Sequence, residues 1–185
     1  MAVSVEKRLL TVEEYHEMGR VGILGPSDHV ELIHGEIIKM SPIGSKHAAV
    51  VDKLSAEIKS LLKHKSIIRV QSPIVLGDLS EPVPDISILQ WKEDYYASRL
   101  PGASDIRLII EVAGSSMEYD RSIKLNYYAS AGIPEYWIVD LDSDGVEQYQ
   151  HPENGIYQEK IILSDHDSIT SNLLSGQVAI ADLLI

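Results

Sequence analysis

Apolar residues recur along this chain at two periods, and the changes between them divide it into elements. Val51, Leu54, Ile58 and Leu61 return at steps of three and four, which predicts an amphipathic helix from Ser45, as its N-cap, to about Lys63. A shorter helix is expected from Thr11 to Gly19, with Thr11 and Glu14 at the two positions of a capping box. Val30 to Met40 alternates instead around His34-Gly35, a pair suited to the two-residue turn of a β-hairpin. Ile67 to Leu76, Val83 to Leu89 and Ile106 to Val112 read as strands. The last is so continuously apolar that it belongs in a sheet covered on both faces.

Ser115 with Glu118 forms a second capping-box pattern, opening a helix that runs to Ala131 before Gly132 and Pro134 stop it. Tyr136 to Asp140 is the next strand, and the intervening length is that of a crossover between parallel neighbours. Val146 to Tyr149 and Ile156 to Leu163 read as an antiparallel hairpin. The expectation is an α/β chain with a mixed sheet and a core of order α-β-β-β-α-β. It forms one domain over 1–185, with a helix and hairpin in 1–44, the core in 45–141 and a hairpin extension in 142–185.

Composition narrows the chemistry. No run of about 18 apolar residues is present and the first residues lack a signal-peptide pattern, so a cytoplasmic protein with no membrane partner is expected. With no cysteine, any metal must be held by carboxylates or histidines, a donor set that favours Mg²⁺ or Mn²⁺. The net charge of −12 weighs against nucleic acid, whose phosphates attract basic surfaces.

Two acids stand out against this background. Glu111 lies near the end of the apolar run IRLIIEV, where an ionised carboxylate loses water and needs a cation, a donor or a metal. Asp85 follows Pro84 at the head of another apolar strand, and neighbouring strands would bring the two carboxylates together. A divalent ion would remove their repulsion. The alternative is structural: Glu111 pairs with Arg107 or a backbone donor, and Asp85 merely begins a strand.

The segments VPDISIL and LIIEVAGSSMEYDRSIKLNYYASAGIPEYWIVDL, with ELIHGEIIKMSP before them, resemble the Uma-type family of restriction-endonuclease-like proteins in the PD-(D/E)xK nuclease superfamily. The resemblance implies a restriction-endonuclease-like core and a metal-dependent endonuclease acting on DNA. Asp85 and Glu111 would be its metal-binding and catalytic acids, with Mg²⁺ or Mn²⁺ as cofactor. The superfamily's strand lysine is missing, because Ala113 stands two positions after Glu111, and Gly114 replaces a polar residue. The family pattern implies that Lys124, on the following helix, substitutes as the third catalytic residue.

Other residues carry open alternatives. Glu31, in ELIHGE, either approaches the metal as an accessory acid or is an exposed hairpin acid like Glu36. His47 either touches a phosphate or satisfies a helix terminus. Tyr127, Tyr128, Tyr136 and Trp137 are expected in the core rather than on a base-stacking surface. Lys46, Lys53, Lys59, Lys63, Lys65 and Arg69 form the one basic stretch, read as a solvated face because Asp52 and Glu57 interrupt it. Beside the nuclease reading stand a catalytically inactive binding or regulatory protein of the same fold and a hydrolase of a smaller phosphate ester. A homodimer is expected, because cutting both strands of DNA calls for two sites.

Overall fold

The computed structural model describes residues 6–114 and 116–185; the capping role expected of Ser115 lies outside them. Helix α1 (Val12–Arg20) begins at Thr11, whose hydroxyl accepts from the Glu14 amide while the Glu14 carboxylate accepts from the Thr11 amide at 3.0 Å. A cap of this kind is worth about 1 kcal/mol. Strands β1 (Val30–Ile33) and β2 (Glu36–Lys39) form the expected hairpin, with His34 and Gly35 both at positive φ in its turn. A side chain at Gly35 would also meet the Leu9 Cβ at 2.5 Å, so both the turn and the packing require glycine there.

Helix α2 (Ser45–Leu61) carries Val50, Val51, Leu54 and Ile58 on its buried face. The cap expected of Ser45 is not made: the extended residue is Gly44, and Ser45 already lies inside the first turn. Strands β3 (Ser66–Val70) and β4 (Ile86–Gln90) are shorter than expected. The chain leaves the sheet at Gln71, which has positive φ, and Pro73, Pro82 and Pro84 cannot donate to a ladder. Strand β5 (Ile106–Ala113) is the long apolar strand foreseen, and β6 (Glu135–Asp140) lies parallel beside it. Between them residues 117–130 run through α3 (Met117–Tyr119), a π-helical turn (Asp120–Lys124) and α4 (Leu125–Ser130), where one unbroken helix was expected.

Strands β7 (Gly145–Glu153) and β8 (Ile156–Leu163) pair as foreseen but also continue the main sheet, whose order is β3-β4-β5-β6-β7-β8. Among the described residues of this sheet β5 and β6 pair in parallel and the other neighbours pair antiparallel. The sequence reading did not anticipate a small hairpin of β9 (Ser168–Thr170) and β10 (Gln177–Ala179), followed by α5 (Ile180–Leu183).

Alternation along the central strands sorts the core into two layers. Leu108, Ile110, Val112, Trp137 and Val139 pack with α2, β9, β10 and α5. Ile109, Ala113, Tyr136 and Ile138 face the other way, against Tyr127 and Tyr128 of α4. The period of two therefore puts Glu111, between Ile110 and Val112, on the α4 side. The mixed sheet with helices on both faces and the core order α-β-β-β-α-β are as expected. Among the described residues no helix is long and apolar enough to cross a membrane.

Candidate active site

Strand β5 delivers Glu111 into the interior, where it is 3% exposed. Desolvation of that carboxylate is offset by three donors: Lys124 Nζ at 2.9 Å and Tyr128 Oη at 2.8 Å, both to Oε1, and the Asp85 amide at 3.3 Å to Oε2. Asp85 stands just before β4, and its Oδ2 accepts from the Val112 amide at 2.9 Å. Its Oδ1 lies 2.8 Å from His47 Nε2, with Gln71 Nε2 donating at 3.3 Å. The two acids foreseen from sequence thus meet on one face of neighbouring strands, each tied to the backbone beside the other.

The π-helical turn explains the third side. It aims both Asp120 and Lys124 inward, and a local widening of this kind is frequent at functional sites. Lys124 is only 8% exposed and Asp120 is buried as well, so their contact is not a solvated surface pair. Its ammonium lies 2.9 Å from Glu111, 3.6 Å from Asp120 and 3.9 Å from Glu31. Glu31 is likewise buried rather than an exposed hairpin acid, and its Oε2 accepts from the Val83 amide at 3.1 Å. His47 does not satisfy a helix terminus; it contacts Asp85.

Charge in this cluster does not balance. Four carboxylates, Glu31, Asp85, Glu111 and Asp120, face the Lys124 ammonium and the His47 ring. Burial, reinforced by Asp85 and Asp120, pushes Glu111 up to about 8 against the pull of Lys124. Asp120 is raised for the same reason, burial outweighing Lys124 and the Ser116 hydroxyl. Burial alone would lower Lys124, but Glu111, Glu31 and Asp120 together hold it above its usual range. His47 is raised chiefly by its bond to Asp85. Burial is thus the larger cause for Glu111 and Asp120, and neighbouring carboxylates are what hold Lys124 and His47 up; four carboxylates still face only two potential cations.

A hard divalent ion fits that excess. Among the described residues no three Asp, Glu or His side chains converge as a ready-made cage, so two acids would bind with water completing the shell, as suits Mg²⁺. Glu111 Oε2 is the least engaged oxygen of the pair, with one long bond at 3.3 Å. The Tyr119 hydroxyl, at the end of α3, is buried without a partner among the described residues, and burial beside Glu31 pushes it up to about 12.

The sequence reading missed Gln71, Asp120 and Tyr128 as neighbours of the acids. Spacing could have found two of them, since Asp120, Lys124 and Tyr128 recur every four residues, as neighbours on one helix face do. Nothing local marks Gln71, which reaches Asp85 through the β3-β4 pairing.

Among solved structures, the chain resembles the crystal structure of a protein from Anabaena variabilis described as a "putative nuclease belonging to DUF820". The TM-score is 0.75 at 21% identity, covering 94% of this chain and 97% of that one, a likeness of fold. No curated protein matches the chain. Residues 12–182, from the start of α1 into α5, match the model of the Uma2 family, described as "Putative restriction endonuclease", and the chain belongs to that family.

Proposed function

We propose that the protein is a metal-dependent endonuclease that hydrolyses DNA phosphodiester bonds, with Asp85 and Glu111 holding Mg²⁺ or Mn²⁺. The observation that carries this reading is the juxtaposition of Glu111 with Asp85 inside a buried cluster that has too few cations. When bound, the ion would polarise the phosphoryl group and lower the pKa of water. The protein's own groups do the rest. The Val112 amide and His47 fix the Asp85 carboxylate, Tyr128 and the Asp85 amide fix Glu111, and Lys124 offers positive charge where the phosphorane-like charge develops. Water attacks phosphorus and gives up a proton to solvent, the ester P–O bond breaks and the departing alkoxide takes a proton from solvent, with no covalent enzyme intermediate.

A second reading, a binding or regulatory protein without catalysis, is favoured by one observation: Ala113 leaves β5 without a lysine, and the substitute Lys124 is already engaged by three carboxylates. Incubating the pure protein with duplex and single-stranded DNA in Mg²⁺, Mn²⁺ or chelator separates the two. Cleavage that requires the ion supports the endonuclease; binding without cleavage under any ion supports the second reading.

A further inference from the structure

The chain's net charge of −12 makes any concentration of unpaired positive charge informative. One lies along the edge strand β3. Ile67 and Arg69 point to one side of the strand, and Ile67 packs in the layer that also holds Ile109 and Ala113, so this is the face of Glu111; Lys65, just before the strand, lies over Trp91, which packs on the same layer. Gln71 touches Asp85 itself. Among the described residues neither Lys65 nor Arg69 pairs with a carboxylate, whereas Lys92 lies 3.7 Å from Asp94 and Arg99 lies 2.6 Å from Asp105.

These cations are interleaved with aromatic rings from the loop after β4. Lys65 Nζ sits 3.3 Å from the centre of the Trp91 ring, and Arg69 lies 5.8 Å from that of Tyr96. Trp91 meets Tyr95 edge-on at 5.0 Å. The backbone adopts positive φ at both Tyr95 and Tyr96, a costly conformation for two bulky residues in succession. The result is a division of labour: Tyr96 is buried and donates to the Gln90 carbonyl at 2.9 Å, while Tyr95 is turned outward, 58% exposed. Its carbonyl accepts from Arg69 at 3.1 Å, tying the exposed ring to the cationic edge.

We propose that Lys65, Arg69, Trp91 and Tyr95 form a binding track for a single strand of DNA leading to Asp85 and Glu111. This rests on the nuclease reading for its destination but not for its chemistry. Exposed rings stack on unpaired bases, and cations beside them track the phosphates.

The test is fluorescence anisotropy with a labelled single-stranded oligothymidylate in chelator, so that nothing is cut, against a duplex of mixed sequence. Tyr95 is exposed, so Tyr95→Ala removes the ring without opening the core. The variant is expected to bind single-stranded DNA about tenfold more weakly, within the range that loss of one stacked base produces. Arg69→Ala should reduce the slope of log affinity against log salt by about 0.7. Absence of single-strand binding by the parent protein would overturn the proposal, as would unchanged affinity in both variants or an equal Tyr95 effect on duplex. Metal-dependent cleavage is read separately on the same samples. Cleavage with no Tyr95 or Arg69 effect sinks the track and leaves the nuclease; Tyr95-dependent binding without cleavage does the reverse.

Discussion

The backbone amide of Asp85 donates to the Glu111 carboxylate at 3.3 Å, and the amide next to Glu111, that of Val112, donates to the Asp85 carboxylate at 2.9 Å. This reciprocal pair spans the β4-β5 ladder at the point where Ile86 faces Ile110. Neither acid can be moved without disturbing the other's support. The pair is therefore pre-organised by the sheet, the condition under which fixed charges contribute most to catalysis.

Removing Lys124 should have two separable effects. Lys124→Met leaves Glu111, Asp120 and Glu31 buried without their shared cation, and breaking such a contact costs about 3 kcal/mol. Cleavage measured well below the variant's melting temperature should also fall by about a hundredfold, the rate equivalent of one lost electrostatic donor. Full cleavage in a folded Lys124→Met protein would show that the transition-state charge is met elsewhere.

Glu111→Gln should separate stability from metal binding. The amide oxygen can still accept from Lys124 and Tyr128 while the buried charge is gone, so the metal-free protein should stay within about 1 kcal/mol of the parent. Calorimetric titration with Mn²⁺ should find the parent's site lost. A variant that binds Mn²⁺ as the parent does would remove Glu111 from the ligand set.

The pH dependence of the metal-free protein follows from Glu111. Its carboxyl is raised to about 8, so the native state holds that proton more tightly than the unfolded chain. The resulting stability is full below the unfolded pKa of about 4.3 and is lost as pH rises through about 8. Asp120 and His47, also raised, act in the same sense. Melting temperature in chelator should thus decline between about pH 5.5 and pH 8.5, and Mn²⁺ should restore more of it at the upper end. A flat profile with a pH-independent response to Mn²⁺ would contradict the charge imbalance.

Two sites are needed to cut both strands, and we propose that the protein works as a homodimer. Light scattering across a wide concentration range should give twice the mass of the 20.5 kDa chain. A monomer throughout would remove this element and leave the single-site chemistry intact.

The meeting of the two acids was legible because each interrupts an apolar strand pattern: Glu111 lies within IRLIIEV and Asp85 just before ISIL. The parallel β5-β6 pair was legible from the crossover length. What stayed hidden depends on tertiary pairing or on backbone irregularity. Gln71 meets Asp85 only because β3 pairs with β4, and the π-helical turn that buries Asp120 and Lys124 has the composition of an ordinary helix. The β9-β10 hairpin and α5 escaped because strands of three residues are too short to show a period.

The most direct test of the central claim is nicking of supercoiled plasmid in Mn²⁺ by the parent protein beside Asp85→Ala. Asp85 contributes one of the two proposed metal-binding carboxylates and lies at the edge of the cluster, so the substitution can be checked for folding by its melting temperature. Nicking by the parent that chelator and Asp85→Ala both abolish is the predicted result. Equal nicking by a folded Asp85→Ala protein, or none by the parent under any divalent ion, would contradict a metal-dependent nuclease centre at Asp85 and Glu111.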